Sequence, residues 1–264
     1  MLIRRAADRQ PTGQSTTAFG TVEKHDFRAA FRGRLTMAVL QQASPPFTRN
    51  ALAVLFERSN FEAFQQPGAP SHYWAPLISA CSGARRDEIF FLTPDDIRPF
   101  DGTYFFLIKA TSPGPGRPGI AARSIPLHPL LVRLGLPEWV ETRRQAQPQE
   151  RVFSEYKALR EHAGLPFSRA FVQWIKATAE RLPPEQRHLF AEDFHFPSLR
   201  ALFLAEAGRA GMDDAVARAI RGTEGGTPPA DREASWRALA AAELARVDIE
   251  SCFPPLDPYR ELLA

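Results

Sequence analysis

The stretch Trp74-Ala75-Pro76-Leu77-Ile78-Ser79-Ala80-Cys81-Ser82 is an apolar run closed by Gly83-Ala84-Arg85, with Glu88 three residues further on. Its length and its lack of charge predict a long helix that starts after the turn Pro67-Gly68-Ala69-Pro70 and delivers a cation and a carboxylate at its end. Taken alone, Arg85 and Glu88 are an ordinary helical pair at i,i+3. The flanking pattern, with Leu92 and Asp96 following the Glu, gives them further meaning once the rest of the chain is read.

Composition narrows the class. A chain of 264 residues with 44% apolar composition buries a sizeable core and is not disordered as a whole. Cys81 and Cys252 are too few for a disulfide framework and stand in no metal-ligand spacing, which points to a reducing, intracellular setting. Arg4 and Arg5 are followed by no apolar stretch of a signal peptide, and no apolar run approaches the ~18 residues of a membrane span. A cytoplasmic protein with no membrane partner is expected. Net charge is +3, and Lys24, Lys109, Lys157 and Lys176 are the only lysines, so arginine supplies nearly all the positive charge. That balance permits nucleic-acid binding without demonstrating it.

The chain divides near residue 45. Residues 1–45 read as an N-terminal segment, polar and disordered over 9–19 and helical over Asp26 to Gln42; residues 46–264 read as one larger domain. Ser44-Pro45-Pro46 separates the two, and Thr48 is placed to cap a helix through Leu52, Leu55 and Phe56. After Asp101-Gly102, Tyr104 to Ile108 is a strand and Arg123-Ser124-Ile125-Pro126 a returning strand, joined by a Pro/Gly-rich hairpin loop over 110–119. Helices are expected at 129–146, 154–163, 167–181, 198–210, 213–221 and 230–247. Trp236, with Leu239, Ala240 and Leu244, is read as core, His128 as a turn residue, and Arg143 and Arg144 as a solvated face.

Three further motifs follow in order. The second strand ends Arg123-Ser124-Ile125-Pro126-Leu127-His128; Pro197-Ser198-Leu199-Arg200 opens a helix; and Ile220-Arg221-Gly222-Thr223 closes another. With the Arg85 motif, this series resembles the tyrosine recombinase (phage integrase) family over about residues 47–255. The resemblance implies an α+β, mostly α-helical catalytic-domain-like fold with a small antiparallel β-sheet, and an N-terminal segment shorter than the family's core-binding domain. In that family two arginines clamp the phosphodiester with bidentate bonds, histidines and a hairpin lysine handle protons, and a tyrosine forms the covalent intermediate. Arg85 and Arg200 match the two arginines. Arg117 stands at the lysine's place, unless Lys109 reaches in, and as an acid it is poor because its proton stays bound. Pro197 replaces the first histidine, with His195 two residues upstream as a substitute, and Thr223 replaces the second. No tyrosine stands where the nucleophile belongs, around Ala230 to Trp236; Tyr259 alone lies near the C-terminus and could attack only in trans.

The resemblance therefore implies a catalytically degenerate recombinase-like protein that binds the phosphate backbone of duplex DNA through Arg85, Arg117, Arg200, Lys109 and Arg123, as a regulatory or accessory protein of a mobile element. It implies no cofactor and no metal. Other recombinase-like subunits or element-encoded proteins are expected partners. Two alternatives stay open: a strand-transferase with Tyr259 as nucleophile, and a protein-interaction module that no longer binds DNA.

Overall fold

The computed structural model describes residues 44–110, 121–156, 164–190, 193–222 and 233–257. The helix expected at Asp26–Gln42 lies outside them. The first described helix, α1 (Arg49–Leu55), starts where the sequence places it: Thr48 Oγ1 accepts the Ala51 backbone N–H at 3.1 Å, a cap that contributes about 1 kcal/mol. A second short helix, α2 (Arg58–Phe64), follows, capped by Glu57.

The centre of the fold is α3 (Ser71–Ser82), whose every residue is buried. A helix with no charge anywhere on its circumference can be enclosed on all sides, and here the enclosing elements bring mostly aromatic side chains. Phe64 stacks on Trp174 with centroids 4.3 Å apart, Phe47 on Phe194 at 4.4 Å, and Trp74 packs on Trp139 at 5.8 Å. The expected single arginine helix is instead two. Gly83 ends α3 in the left-handed conformation (φ 63°), and a new helix, α4 (Arg86–Phe91), begins after Arg85. A Cβ at Gly83 would lie 2.6 Å from Cδ1 of Phe203, so the break is where α3 meets the later helix α8 (Pro197–Arg209) most closely.

The sheet has three antiparallel strands in the order β1 (Ile97–Phe100), β2 (Thr103–Ile108), β3 (Arg123–Pro126). The hairpin between β1 and β2 turns on Asp101 (φ 49°) and Gly102 (φ 79°), the residue pair that a two-residue turn with positive φ favours. β1 escaped the sequence reading because Arg98 and Pro99 break its apolar pattern; proline without a donor is tolerated because β1 is an edge strand.

The expected helix at 129–146 is split by Gly135 (φ 90°) into α5 (Pro129–Arg133) and α6 (Leu136–Ala146). His128 caps α5: Nδ1 accepts from Leu130 N–H and Nε2 donates to Val247 O. Residues 154–156, where a helix is expected to begin, are non-helical, and 157–163 lie outside the described residues. Arg144 is not on a solvated face; it donates to Pro94 O at 2.6 Å and Ile97 O at 2.8 Å and ties α6 to the start of the sheet. Then come α7 (Gly164–Arg181), α8, α9 (Asp214–Arg221) and α10 (Glu233–Ala245). Ala240 and Leu244 of α10 are core, Trp236 is half-buried against it, and Leu239 is exposed, unlike its expected place. Arg237 of α10 lies 3.8 Å over the Phe100 ring, which holds α10 against the sheet.

Gly83→Ala should destabilise the domain by roughly 3 kcal/mol, from the left-handed backbone and the Phe203 clash together. Urea unfolding checks this, and Phe203→Leu in the same chain should recover part of the loss. Equal stability of the single variant and the wild type would contradict the packing described.

Candidate phosphate-binding site

Because α3 stops at Gly83, Arg85 stands at the head of α4 with an extended backbone (φ −75°, ψ 153°). Glu88, in the first turn of α4, reaches back to it. Its Oε2 accepts the Arg85 backbone N–H at 2.7 Å, and its Oε1 accepts Arg85 Nη1 at 3.1 Å. From the sheet, Arg123 at the head of β3 meets the same carboxylate, donating from Nη2 to Glu88 Oε2 at 2.8 Å. Arg123 also donates from Nε to Ile220 O at 2.7 Å and from Nη1 to Ala121 O at 3.3 Å. One buried carboxylate thus links α4, β3 and the end of α9. Gly222, which ends α9 with φ 69°, makes the approach possible, since a Cβ there would fall 2.9 Å from Arg123 Nη1.

Burial opposes the charge on Glu88, but the hydrogen bond and charge of Arg123, then the backbone N–H and charge of Arg85, outweigh it and hold the carboxyl below its ordinary range. Arg200, in the first turn of α8, joins the group from the other side. Its Nη1 donates to Gly83 O and its Nη2 to Arg221 O at 3.4 Å. Burial, then the positive charge of Arg85, pushes its pKa down to about 10; Glu88 works the other way, and Arg123 and Arg221 add to the repulsion.

Charge at this place does not balance. Arg85, Arg123, Arg200 and Arg221 are set against the buried carboxylate of Glu88 and, at Arg221, that of Asp214. Arg123, with its side chain 2% exposed, is committed to Glu88 and two carbonyls. Arg200 is held by carbonyls, which accept its protons but cancel none of its charge. Arg85 keeps 39% of its side chain open to solvent. Guanidiniums crowded in a partly desolvated site, with one of them facing outwards, make a place for an anion with several oxygens, and phosphate suits their planar forks.

The site brings together Arg85 and Arg200, as the sequence suggests, and turns Arg123 inwards, away from any surface contact with DNA. Lys109 is engaged elsewhere: its ammonium lies 2.9 Å from Asp96 Oδ1. Pro197 is the first residue of α8, where its missing N–H costs nothing, and it offers no proton chemistry. The ring of His195 sits between Asp193 O, 2.8 Å from Nδ1, and the Ser44 hydroxyl, 2.9 Å from Nε2; the carbonyl can only accept, so Nδ1 carries the proton and Ser44 donates. His195 lines a cavity of about 390 Å³ with Arg86, Ser168, Arg169, Gln173 and Pro197. Arg117, Thr223 and Tyr259 lie outside the described residues. Arg221 was not singled out in the sequence; the signal available was its place at the end of α9 just before Gly222. No group of His, Cys, Asp or Glu suited to a metal ion occurs among the described residues. Nor is any of their helices long and apolar enough to cross a membrane.

No protein-family model matches the sequence, and no curated protein matches it. Among solved structures, the chain is similar to the XerH site-specific recombinase bound to difH substrate in a pre-cleavage complex, with 16% sequence identity and a TM-score of 0.43. The match covers 79% of this chain and 52% of that one, so it spans about half of the recombinase's length.

Glu88→Gln should leave the Arg123 guanidinium buried without a counter-charge and cost about 3–5 kcal/mol at neutral pH. Because the folded-state pKa of Glu88 lies below its ordinary value of 4.5, its stabilisation is complete above that value and fades as pH falls through the lowered one. The gap between wild type and variant, followed by urea unfolding, should therefore narrow as pH falls below 4.5 and through the lowered value. A gap that does not change with pH would contradict this role.

Proposed function

We propose that this chain binds the phosphate backbone of duplex DNA at the Arg85–Arg200 site and does so without forming a covalent intermediate, as a catalytically degenerate member of the tyrosine recombinase lineage. The observation that carries this reading is the uncompensated arginine cluster around Glu88. Two arginines far apart in sequence, each matching a family motif, converge there with an excess of positive charge, and each contact to a phosphate oxygen would contribute about 1.5–3 kcal/mol. The groups that move protons in the family have no counterpart at the cluster among the described residues. Pro197 has nothing to titrate, and His195 is occupied by Asp193 and Ser44. The Tyr73 hydroxyl donates to Asp257 O at 2.6 Å and the Tyr156 hydroxyl is 2.9 Å from Nε2 of buried His72, both at the start of α3, at the opposite end from Gly83. A regulatory role in a mobile element, a cytoplasmic location and assembly with other recombinase-like subunits extend the same reading. So does the division into an N-terminal segment over 1–45 and a DNA-binding domain over 46–264.

Duplex DNA should bind with an affinity that falls steeply with salt, since arginine contacts release counterions. Arg85→Ala and Arg200→Ala should each weaken binding about 10- to 100-fold, alike across sequences. No binding by the unmodified protein at low salt would favour a protein-interaction module. Incubation with a nicked suicide substrate, resolved under denaturing conditions, should give no covalent band; a band that vanishes in Tyr259→Phe would establish a strand-transferase instead.

A further inference from the structure

Resting on the phosphate-binding reading above, we infer that Arg221 is a third phosphate ligand of the site, reaching the same anion from the end of α9. Three observations converge on it. Arg221 is fixed at the site by its backbone, whose carbonyl accepts from Arg200 Nη2 at 3.4 Å while its neighbour Gly222 packs against the Arg123 guanidinium. Its side chain is half-buried, and its Nε is buried with no hydrogen-bond partner among the described residues. A buried guanidinium N–H without an acceptor is costly.

The charges point the same way. Burial, then the charge of Arg218, lowers the pKa of Arg221, with Asp214 opposing, and Arg221 in turn weakens the hold of Arg200 on its proton. Asp214 offsets only part of this, and towards Arg200 the charge of Arg221 adds to a repulsion that an anion would relieve. Three guanidiniums from α4, α8 and α9 can divide the oxygens of one phosphodiester, with Arg123 and Glu88 behind them as the frame.

This assignment makes two predictions of opposite sign. Removing a phosphate ligand weakens binding, while removing one of several repelling charges does not weaken the anion-free fold. Arg221→Ala should bind a short duplex about tenfold more weakly, with the slope of log K against log salt shallower by about 1. In dilute buffer without phosphate or sulfate it should melt no lower than wild type, and inorganic phosphate should raise its melting temperature less. Arg181→Ala, which removes an exposed charge at the end of α7, should leave affinity and slope unchanged. Three results would overturn the assignment: unchanged affinity and slope in Arg221→Ala, a lower melting temperature without anions, or an equal loss of binding in Arg181→Ala. If Arg221→Ala binds normally while Arg85→Ala and Arg200→Ala do not, only this assignment falls. If the unmodified protein binds neither phosphate nor duplex, the reading beneath it falls as well.

Discussion

A carboxylate buried beneath the protein surface must be matched or it will not stay charged, and the matching of Glu88 organises everything around it. Three N–H groups converge on its two oxygens, one from the backbone and two from guanidiniums. Because the donors come from the head of α4 and from β3, and because Arg123 also grips the last turn of α9, the positions of three elements are set by one side chain. Such an arrangement adds little net stability compared with an apolar filling, yet removing one partner is expensive. Its value is geometric. A shift of β3 or α9 by one residue would leave a full charge buried without a partner.

The fixed frame allows the rest of the cluster to stay unbalanced. Glu88 is engaged by Arg85 and Arg123, and the carbonyls of Gly83 and Arg221 hold Arg200 in place without neutralising it. Marginally stable domains tolerate such a local excess only if something else supplies the stability. The aromatic core does so: Phe64, Phe167, Phe171, Trp174 and Phe196 pack on one another with centroids 4.3–6.1 Å apart. Stability is concentrated in the interior, and electrostatic tension at its edge.

Much of this was legible in the sequence because it depends on local rules. The cap at Thr48, the Asp101-Gly102 turn, the strands at Tyr104 and Arg123 and the starts of α8 and α9 each follow from neighbouring residues. The two arginines were found through motif order, and the structure brings them to one place. What was missed depends on contacts distant in sequence. Gly83 is a local signal for a helix end, but that no Cβ fits there depends on Phe203, in α8. Arg123 reads as an exposed strand-end cation until Glu88 is known to lie beneath it, and Arg144 reads as solvated until the carbonyls of Pro94 and Ile97 are placed next to it. Arg221 went unnoticed because a helix-ending arginine is common, and only the carbonyl bond to Arg200 shows which helix it meets.

The chemistry open to the arginine cluster follows from what a guanidinium can and cannot do. It attracts a phosphate and orients it, and it holds its proton throughout, so it lends no acid or base to a reaction. Phosphoryl transfer needs a group to take a proton from the nucleophile and another to protonate the leaving oxygen. Proline as the first residue of α8 supplies neither, although it is well suited to starting a helix. Arg200, three residues later, benefits, because a well-started α8 aims its guanidinium at the Gly83 carbonyl. On the proposed reading, guanidiniums favour an anion more strongly as charge grows on its oxygens, yet with no group beside them to move a proton that preference gives occupancy and no turnover.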